Sequence, residues 1–214
     1  MLHLDVSSKI DLVERGTHLP IMEEFYSLQG EGFHTGKAAY FIRIGGCDIG
    51  CHWCDVKESW DASLHPIKPV DDVVMNVLNT SANTVVITGG EPAQYNLIRL
   101  TQKLQAHSIR IHLETSGVYP VAGHIDWICV SPKKKQEPLL ENLQKAHELK
   151  IIVYNPHDFI YAEKMRQGVS PHCHLFLQPE WSRQEKILPR LIEYIQQHPH
   201  WRLSLQTHKY IHIP

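Results

Sequence analysis

The stretch TVVITGGEP, residues 84–92, joins a short apolar run directly to a turn that contains two glycines. A continuous apolar run of this length, bounded by turn residues, is typical of a strand that is buried on both faces of a parallel sheet. Gly89 and Gly90 allow the backbone after the strand to approach another group closely, because neither has a side chain. By itself such a turn is ordinary, so its meaning depends on the rest of the chain.

Strand and helix patterns alternate along the chain, which predicts an α/β fold with a mostly parallel sheet and crossover helices. Regular structure is expected to begin near Ile21. Strands are predicted at residues 39–44, 84–88, 110–113, 127–130, 151–154, 174–177 and 202–205. Helices are predicted at residues 71–78, 95–106, 138–148, 157–167 and 183–197, and Pro189 is expected to bend the last of them.

A single domain is expected, because no repeat, low-complexity tract or linker divides the 214 residues. Residues 1–20 are mixed and polar and are interpreted as an N-terminal extension, with residues 21–214 as the core domain. Hydrophobic residues make up 43% of the chain, which is enough to bury a sizeable core.

The charge balance favours a small-molecule substrate. With 21 basic and 23 acidic residues the net charge is −2, which is too weak a field to indicate direct nucleic-acid or membrane binding. The sequence has no signal pattern and no run near the roughly 20 apolar residues of a membrane span, so we expect a cytoplasmic protein. The sixteen histidines are scattered, and most are interpreted as surface residues.

Three of the five cysteines lie within eight residues, as Cys47, Cys51 and Cys54. The other two, Cys129 and Cys173, stand alone, which is a poor framework for disulfides. Three thiolates at this spacing can bind one [4Fe-4S] cluster and leave one iron open.

Two alternatives stay open for the cysteines, a zinc site completed by His52 or a distant histidine, and structural thiols that happen to be close. Trp53, between two of the cysteines, is interpreted either as core or as a shield for a cluster that also contacts its cofactor.

Polar or glycine-rich residues follow the strand ends. Because the functional loops of parallel α/β folds gather at the carboxyl ends of the strands, we expect these residues to converge on one mouth. They are the cysteine loop and residues 89–92, 114–117, 131–133, 178–179 and 206–209.

The cysteine loop followed by GGEP resembles the radical S-adenosylmethionine (SAM) enzymes, in which a [4Fe-4S] cluster cleaves SAM to release a 5′-deoxyadenosyl radical. From Glu24 onward the chain resembles the 7-carboxy-7-deazaguanine synthase family over nearly its full length. The matching segments are residues 25–32, 41–43, the cysteine loop as far as Asp55, and residues 87–92, 114–117, 130–133, 177–179 and 206–210.

The resemblance implies a fold and a reaction. The fold is a partial (β/α) barrel, and the substrate is 6-carboxy-5,6,7,8-tetrahydropterin, which is converted to 7-carboxy-7-deazaguanine with ring contraction and loss of ammonia. Hydrogen is removed from the carbon that bears the carboxylate and later returned, so SAM is regenerated. This carbon–nitrogen lyase activity belongs to queuosine biosynthesis, a tRNA modification pathway.

The resemblance also implies the roles of residues. Those expected to bind substrate are Leu28, Gln29, Gly30, Glu31, Arg43, Thr88, His208 and Pro214, the last through the terminal carboxylate. Those expected to bind SAM are Trp53, Cys54, Asp55, Gly90, Glu91, Glu114, Ser131, Pro132, Lys133 and Gln178. An amide and a carboxylate suit the edge of a pterin and an arginine suits its carboxylate, although a structural ion pair is the alternative for Arg43. No residue is assigned as an acid or base.

One position departs from the family pattern. A threonine or serine commonly stands two residues after the last cysteine, where its hydroxyl helps to bind Mg²⁺, but this chain has Val56. A valine side chain offers no oxygen to a hard cation, so the usual Mg²⁺ site is in doubt and weaker dependence on Mg²⁺ is expected.

By resemblance, flavodoxin or ferredoxin would be the reductant and the protein would be a homodimer. Two other functions fit the cysteine loop, a radical SAM activase of a partner protein and a non-catalytic iron–sulfur or zinc module.

Overall fold

The computed structural model describes residues 6–214, with side chains from residue 10 onward. Its strands are β1 His18–Leu28, β2 Ala38–Ile44, β3 Ile67–Pro69, β4 Thr84–Gly89, β5 Arg110–Thr115, β6 Trp127–Val130, β7 Glu148–Val153, β8 His174–Pro179 and β9 Trp201–Leu203. Its α-helices are α1 Val6–Glu14, α2 Val70–Leu78, α3 Ile98–Ala106, α4 Leu140–Lys145, α5 His157–Arg166, α6 Gln184–Gln197 and α7 Thr207–Ile211.

The strands of this part of the chain form one sheet in the order β3-β1-β2-β4-β5-β6-β7-β8-β9. From β2 to β9 every neighbouring pair is parallel, whereas β1 is antiparallel to both β2 and β3. The sheet does not close, because β3 and β9 lie at opposite ends of this order. The predicted α/β fold and partial barrel are confirmed.

The central strand β4 is buried on both faces, as its apolar run predicts. Val85 and Ile87 belong to the cluster that packs beneath α2 and α3, while Val86 packs on the other face with Ala39 and Phe41 of β2. We call this second face, which faces the interior of the open barrel, the inner face.

The inner face is unusually polar away from β4. Alternation along each strand places every second residue on it, and cross-strand register aligns Val86 with His112 and then with Trp127. The same face continues upward to Glu114 and Lys150, toward the carboxyl ends of the strands.

Most predicted elements are confirmed, with differences at their ends. The helix expected at residues 138–148 ends at Lys145, because strand β7 spans Glu148–Val153 and so begins before the predicted residue 151. Helix α3 begins at Ile98, after the predicted residue 95, and strand β9 begins and ends earlier than residues 202–205. Helix α6 is present at Gln184–Gln197, and a bend at Pro189 stays a prediction.

Regular structure begins well before Ile21, which corrects the expectation for the start of the chain. Helix α1 begins at Val6, and β1 begins at His18 and pairs with β3 through His18, Leu19 and Pro20. Residues 1–5 lie outside the described part of the chain. The division at residue 20 stays a prediction.

Among residues 6–214, no helix combines the length and the apolar character that crossing a bilayer requires.

Helix α5 is tied to the end of the sheet by one carboxylate, that of Glu163. It accepts hydrogen bonds from Trp201 Nε1 at 2.7 Å and Tyr194 Oη at 3.1 Å, and it pairs with Arg166 at 2.7 Å and His200 at 3.4 Å. Burial by itself raises the pKa of Glu163, but these donors outweigh it and lower the pKa to about 2.

We expect Glu163→Gln to destabilise the protein by about 1 kcal/mol at neutral pH, because the charge-assisted bonds are lost at a half-exposed site. Because the pKa of Glu163 is lower in the folded protein than in the unfolded chain, where it is near 4.5, its ionised form stabilises the fold at pH values above 4.5. This contribution is lost as the pH falls from 4.5 toward 2. Urea unfolding at pH 7, 4 and 3 should therefore show a difference that shrinks with acid. A constant difference at all three values would contradict this account.

Candidate active site

A cleft of about 370 Å³ lies at the carboxyl ends of the parallel strands, a size typical of small-molecule sites. Every residue expected from the sequence to bind substrate, SAM or the cluster lines it, except Pro132. Pro132 is buried beside the cleft between Ser131 and Lys133, which both line it. The predicted convergence of strand ends on one mouth is therefore confirmed.

The cysteine loop is fixed by contacts on several sides. The Asp48 carboxylate accepts hydrogen bonds from Gln94 Nε2 at 2.7 Å and from the Tyr119 hydroxyl. Gly50, with φ of 63°, makes the reversal between the first two cysteines, and its carbonyl accepts a hydrogen bond from Lys135 Nζ. These contacts hold the cysteine loop in place as one wall of the cleft.

The three thiols of Cys47, Cys51 and Cys54 are free and line the cleft together. Burial raises the pKa of the Cys47 and Cys51 thiols, and the neighbouring cysteine charges raise each further. Thiolates there need positive charge close by, which bound iron would supply. The donor set therefore fits an iron–sulfur cluster.

His52 points away from these thiols. Its side chain is exposed, its ring packs edge-on against Tyr154 with centroids 5.1 Å apart, and it does not line the cleft. A zinc site completed by His52 therefore has no support from its position. Within the described ranges, no group of three or more histidine, cysteine or acidic side chains is arranged to bind a single metal ion.

The GGEP turn supports the cysteine loop through its backbone. Gly90 N donates to Ile44 O at 2.9 Å, and Glu91 N donates to Gly46 O at 2.8 Å. A Cβ on Gly90 would lie 2.2 Å from Gly46 O, so no side chain fits between the two segments. The turn's glycines are therefore needed for this close approach.

The Glu91 side chain, expected from the family resemblance to bind SAM, is occupied inside the protein. Its carboxylate is 1% exposed and accepts hydrogen bonds from Ala93 N at 3.0 Å, Thr115 Oγ1 at 2.5 Å and Ser116 N at 2.7 Å, together with one from the Ser116 hydroxyl. These bonds join the GGEP turn to residues 114–117. The Glu91 carboxylate therefore has a structural role, because it links these two loops.

Lys133 lines the cleft in the loop after β6. Its Nζ donates to Ser131 O at 2.6 Å and Ser131 Oγ at 2.7 Å, and it lies 5.6 Å from the centre of the Trp53 ring. Burial lowers the pKa of Lys133. Trp53 therefore faces the cleft, in keeping with the second of its two interpretations.

A buried lysine that the sequence analysis did not single out lies at the centre of the cleft. Lys150 Nζ pairs with Glu31 and, at 3.3 Å, with Glu114, and the lysine side chain is only 4% exposed. Alternation in β7 could have revealed it, because Glu148 and Lys150 share one face while Leu149 and Ile151 fill the core on the other.

Lys150 and Glu31 hold each other in their ionised forms. Burial opposes the charge of Lys150, but Glu114 and Glu31 outweigh it and hold the pKa of Lys150 well above its usual range. Burial likewise acts to raise the pKa of Glu31, and the Lys150 ammonium and the amide of Gln206 reverse that effect and lower it.

The network extends to the end of the chain. Gln206 Nε2 donates to Glu31 Oε1 at 2.9 Å and to Asp55 Oδ2 at 3.1 Å, and Lys209 Nζ donates to Asp55 Oδ2 at 2.8 Å. Gln29 Nε2 donates to Glu114 Oε1 at 2.9 Å. The loop after β1, the cysteine loop and α7 thus form one wall.

His208 and Gln178 complete this wall. A Cβ on Gly30 would fall 2.1 Å from His208 Nδ1, so the imidazole lies directly on the glycine backbone. Burial lowers the pKa of His208. Gln178 Oε1 accepts a hydrogen bond from Ser204 Oγ at 2.6 Å, which fixes its amide at the end of β8.

Comparison with known proteins agrees with this geometry. The Radical SAM superfamily model matches residues 41–130. A 7-carboxy-7-deazaguanine synthase of Flavobacterium psychrophilum is 56% identical over 202 residues, which cover 94% of this chain and 96% of that protein. One from Synechocystis is 45% identical over 91% of this chain and 93% of its own.

The crystal structure of QueE from Escherichia coli superimposes with a TM-score of 0.80 at 31% identity, covering 95% of this chain and 100% of that one. The chain belongs to the 7-carboxy-7-deazaguanine synthase family. It is a radical SAM enzyme, and the family brings with it a [4Fe-4S] cluster and SAM.

Three further positions can be placed against the 7-carboxy-7-deazaguanine synthase pattern. Arg43 lines the cleft beside Thr88, its partner in register, and its Nε donates to Glu23 at 2.6 Å, so the ion pair is present as well. Val56 lines the cleft where the family commonly has a hydroxyl. Pro214 is exposed and lines the cleft.

We expect Lys150→Met to lower the free energy of unfolding by about 3 kcal/mol, because it leaves two partly buried carboxylates without their counter-charge. Urea denaturation under anaerobic conditions measures this. Lys145→Met is the matched control, since Lys145 is exposed and pairs only with Glu141 on its own helix. Adding Glu31→Gln to Lys150→Met should recover part of the loss, and an unchanged loss would show that charge is not the cause.

Proposed function

We propose that this enzyme converts 6-carboxy-5,6,7,8-tetrahydropterin to 7-carboxy-7-deazaguanine with loss of ammonia, using SAM as a cofactor that is regenerated in each cycle. The observation that carries the proposal is that the cysteine loop shares one cleft with the Glu31 carboxylate, which Lys150 holds in its ionised form. The names of the relatives state the same product.

The carboxylates suit the amino-pyrimidine edge of a pterin. Because Lys150 keeps Glu31 ionised, that carboxylate can only accept hydrogen bonds, and the edge of a pterin presents N–H donors. The amide of Gln29, next to Glu114, both donates and accepts, so it can match a ring nitrogen or the carbonyl. These groups would select the orientation of the ring.

Arg43 is suited to the substrate carboxylate. Among the side chains from residue 10 onward, Glu23 engages only the Nε of Arg43, so the other N–H groups of the guanidinium can donate to a second carboxylate in the cleft. His208, whose lowered pKa keeps it neutral at pH 7, can accept or donate a hydrogen bond on the opposite side.

The cluster and SAM residues fit their groups. Cys47, Cys51 and Cys54 would hold the [4Fe-4S] cluster, and Gly90 and Lys133 would hold SAM beside it. When bound, the cluster and SAM would supply the radical that removes a hydrogen atom from the substrate. The protein would mainly position the reactants and exclude water from the cleft.

The remaining family expectations belong to the same proposal. The enzyme would work in the cytoplasm in the route to queuosine, with flavodoxin or ferredoxin as reductant and without binding nucleic acid directly. It would form a homodimer, and a monomer mass in light scattering at working concentration would exclude this.

The first test is an anaerobic reaction of the reconstituted, dithionite-reduced protein with SAM and 6-carboxytetrahydropterin, followed by mass spectrometry. We expect 7-carboxy-7-deazaguanine from the unaltered protein and from Cys173→Ala, whose buried thiol lies outside the cleft, and none from Cys51→Ala.

Each rival predicts a different result in that assay. Cleavage of SAM without the pterin product would leave a radical SAM enzyme with another substrate, such as a glycine of a partner protein. Absence of SAM cleavage despite an intact cluster would point to a non-catalytic iron–sulfur module.

We also expect weak dependence on Mg²⁺, because Val56 offers no oxygen to the ion. Stripping divalent ions should change turnover by no more than about twofold, whereas Val56→Thr should restore a clear activation by Mg²⁺. Turnover with and without chelator measures both, and strong Mg²⁺ activation of the unaltered enzyme would reject the expectation.

A further inference from the structure

A second cavity, of about 30 Å³, lies at the other end of the inner face from the active-site cleft. It is formed at the amino ends of β2, β4 and β5 and by the turn that follows β1. His34 and His112 line it, with Lys37 and Arg110, and Gln29 lines both this cavity and the cleft. We call it the histidine cavity.

The two imidazoles of this cavity are buried without hydrogen-bond partners. His34 is 8% exposed and His112 is 6% exposed, and their ring centroids are 4.4 Å apart. Nδ1 and Nε2 of His34 and Nε2 of His112 make no hydrogen bond within the described part of the chain. An unpaired buried polar group costs about 1–3 kcal/mol, so three such atoms at one cavity call for a partner there, either a water or an ion.

The charge around the cavity indicates the sign of that ligand. Lys37 and Arg110 line it and are exposed at its opening, and no carboxylate lines it. Asp126 is the acidic group that acts on His112, and its carboxylate is already engaged by Ile111 N at 2.8 Å and by His124 at 3.1 Å. Two cationic side chains without a lining carboxylate disfavour a metal ion and favour an anion.

The cavity volume limits the ligand further. About 30 Å³ accommodates one small ion or one or two waters, and it is too small for a phosphate or an organic acid. Behind the cavity, the His34 ring meets Trp127 edge-on, and Trp127 in turn stacks on Phe33 with ring centroids 5.0 Å apart.

We propose that the histidine cavity is a binding site for a single small inorganic anion of the halide class. N–H groups of His34 and His112 donate to the anion from the floor of the cavity, and the ammonium of Lys37 and the guanidinium of Arg110 attract it at the opening. The ion then lies beneath Gln29, whose side chain also holds Glu114 and the backbone of Glu31 in the cleft.

The site should bind anions more tightly in acid. Burial, together with the charges of Lys37 and Arg110, lowers the pKa of both imidazoles to about 4, so each is neutral at pH 7 and has one N–H to offer. The other group facing His34 is His174, which adds positive charge when protonated, whereas Asp126 opposes this at His112. A bound anion favours the protonated imidazoles, so affinity rises as the pH falls from 7 toward 5.

The test uses bromide as the probe on the intact protein. Thermal unfolding is followed in sodium bromide and in sodium gluconate at equal ionic strength, since gluconate is too large for the cavity. We expect bromide to raise the midpoint by about 2 °C more than gluconate, and by more at pH 5.5 than at pH 7.5. Crystals soaked in bromide should show an anomalous peak between the two imidazoles.

Matched variants locate the effect. Arg110→Gln should abolish the difference between bromide and gluconate, and because Arg110 is exposed the variant should fold, which circular dichroism verifies. Arg190→Gln, at an exposed arginine of α6 that lines neither cavity, should leave the difference unchanged.

Three results would overturn the proposal. Equal midpoints in the two salts with only water in the cavity would mean that the imidazoles are hydrated. A bromide peak at other positions only would mean a non-specific surface effect. Stabilisation by zinc that bromide does not match would mean a metal site.

Discussion

The ammonium of Lys150 sits between the carboxylates of Glu31 and Glu114, and the shape of the active-site cleft depends on this contact. Burying three charges is costly, and it is tolerated because each charge has a partner of opposite sign together with further hydrogen bonds. The pairing joins β7 to β5 and to the loop after β1. Without it, two like charges would face each other inside the barrel and push its walls apart.

That contact lies on the inner face of the sheet, whose side chains differ between the amino ends and the carboxyl ends of the strands. The amino ends of the strands bring together Trp127 and buried histidines, and the carboxyl ends bring together ion pairs and the cysteine loop. Alternation along the strands produces both groups, since every second side chain points inward. The open barrel therefore has two polar chambers, and Gln29 lines both.

Resemblance to a known family supplied most of the individual cleft residues. The residue patterns themselves were sufficient to predict the alternation of strands and helices and the shared mouth of the strand ends. These depend on short-range patterns, such as the apolar run before Gly89 and the close spacing of the cysteines. The antiparallel strand β1 was missed as the start of the sheet, because its pairing with β2 and β3 is long-range. Lys150 was missed because a charged residue in a strand is expected to be exposed unless a buried residue of opposite charge is known to lie beside it.

The positions and hydrogen-bond partners of individual side chains also could not be predicted from the sequence. The GGEP motif led to the expectation that the Glu91 carboxylate binds a cofactor. In the structure it accepts hydrogen bonds from Thr115 and Ser116 instead, and the sequence does not show that these residues lie nearby. Most of the histidines were interpreted as surface residues, and no sequence pattern singled out His34 and His112, yet both are buried.

The wall around the cysteine loop has a consequence for the order in which the protein folds. Gln206 reaches Glu31 across 175 positions of sequence and Asp55 across 151, whereas the three cysteines are neighbours in the chain. Contacts between residues far apart in sequence close late in folding, because the entropy of the intervening loop must be overcome first. The thiol loop can therefore form from neighbouring residues early, and helix α7 would complete the wall around it last.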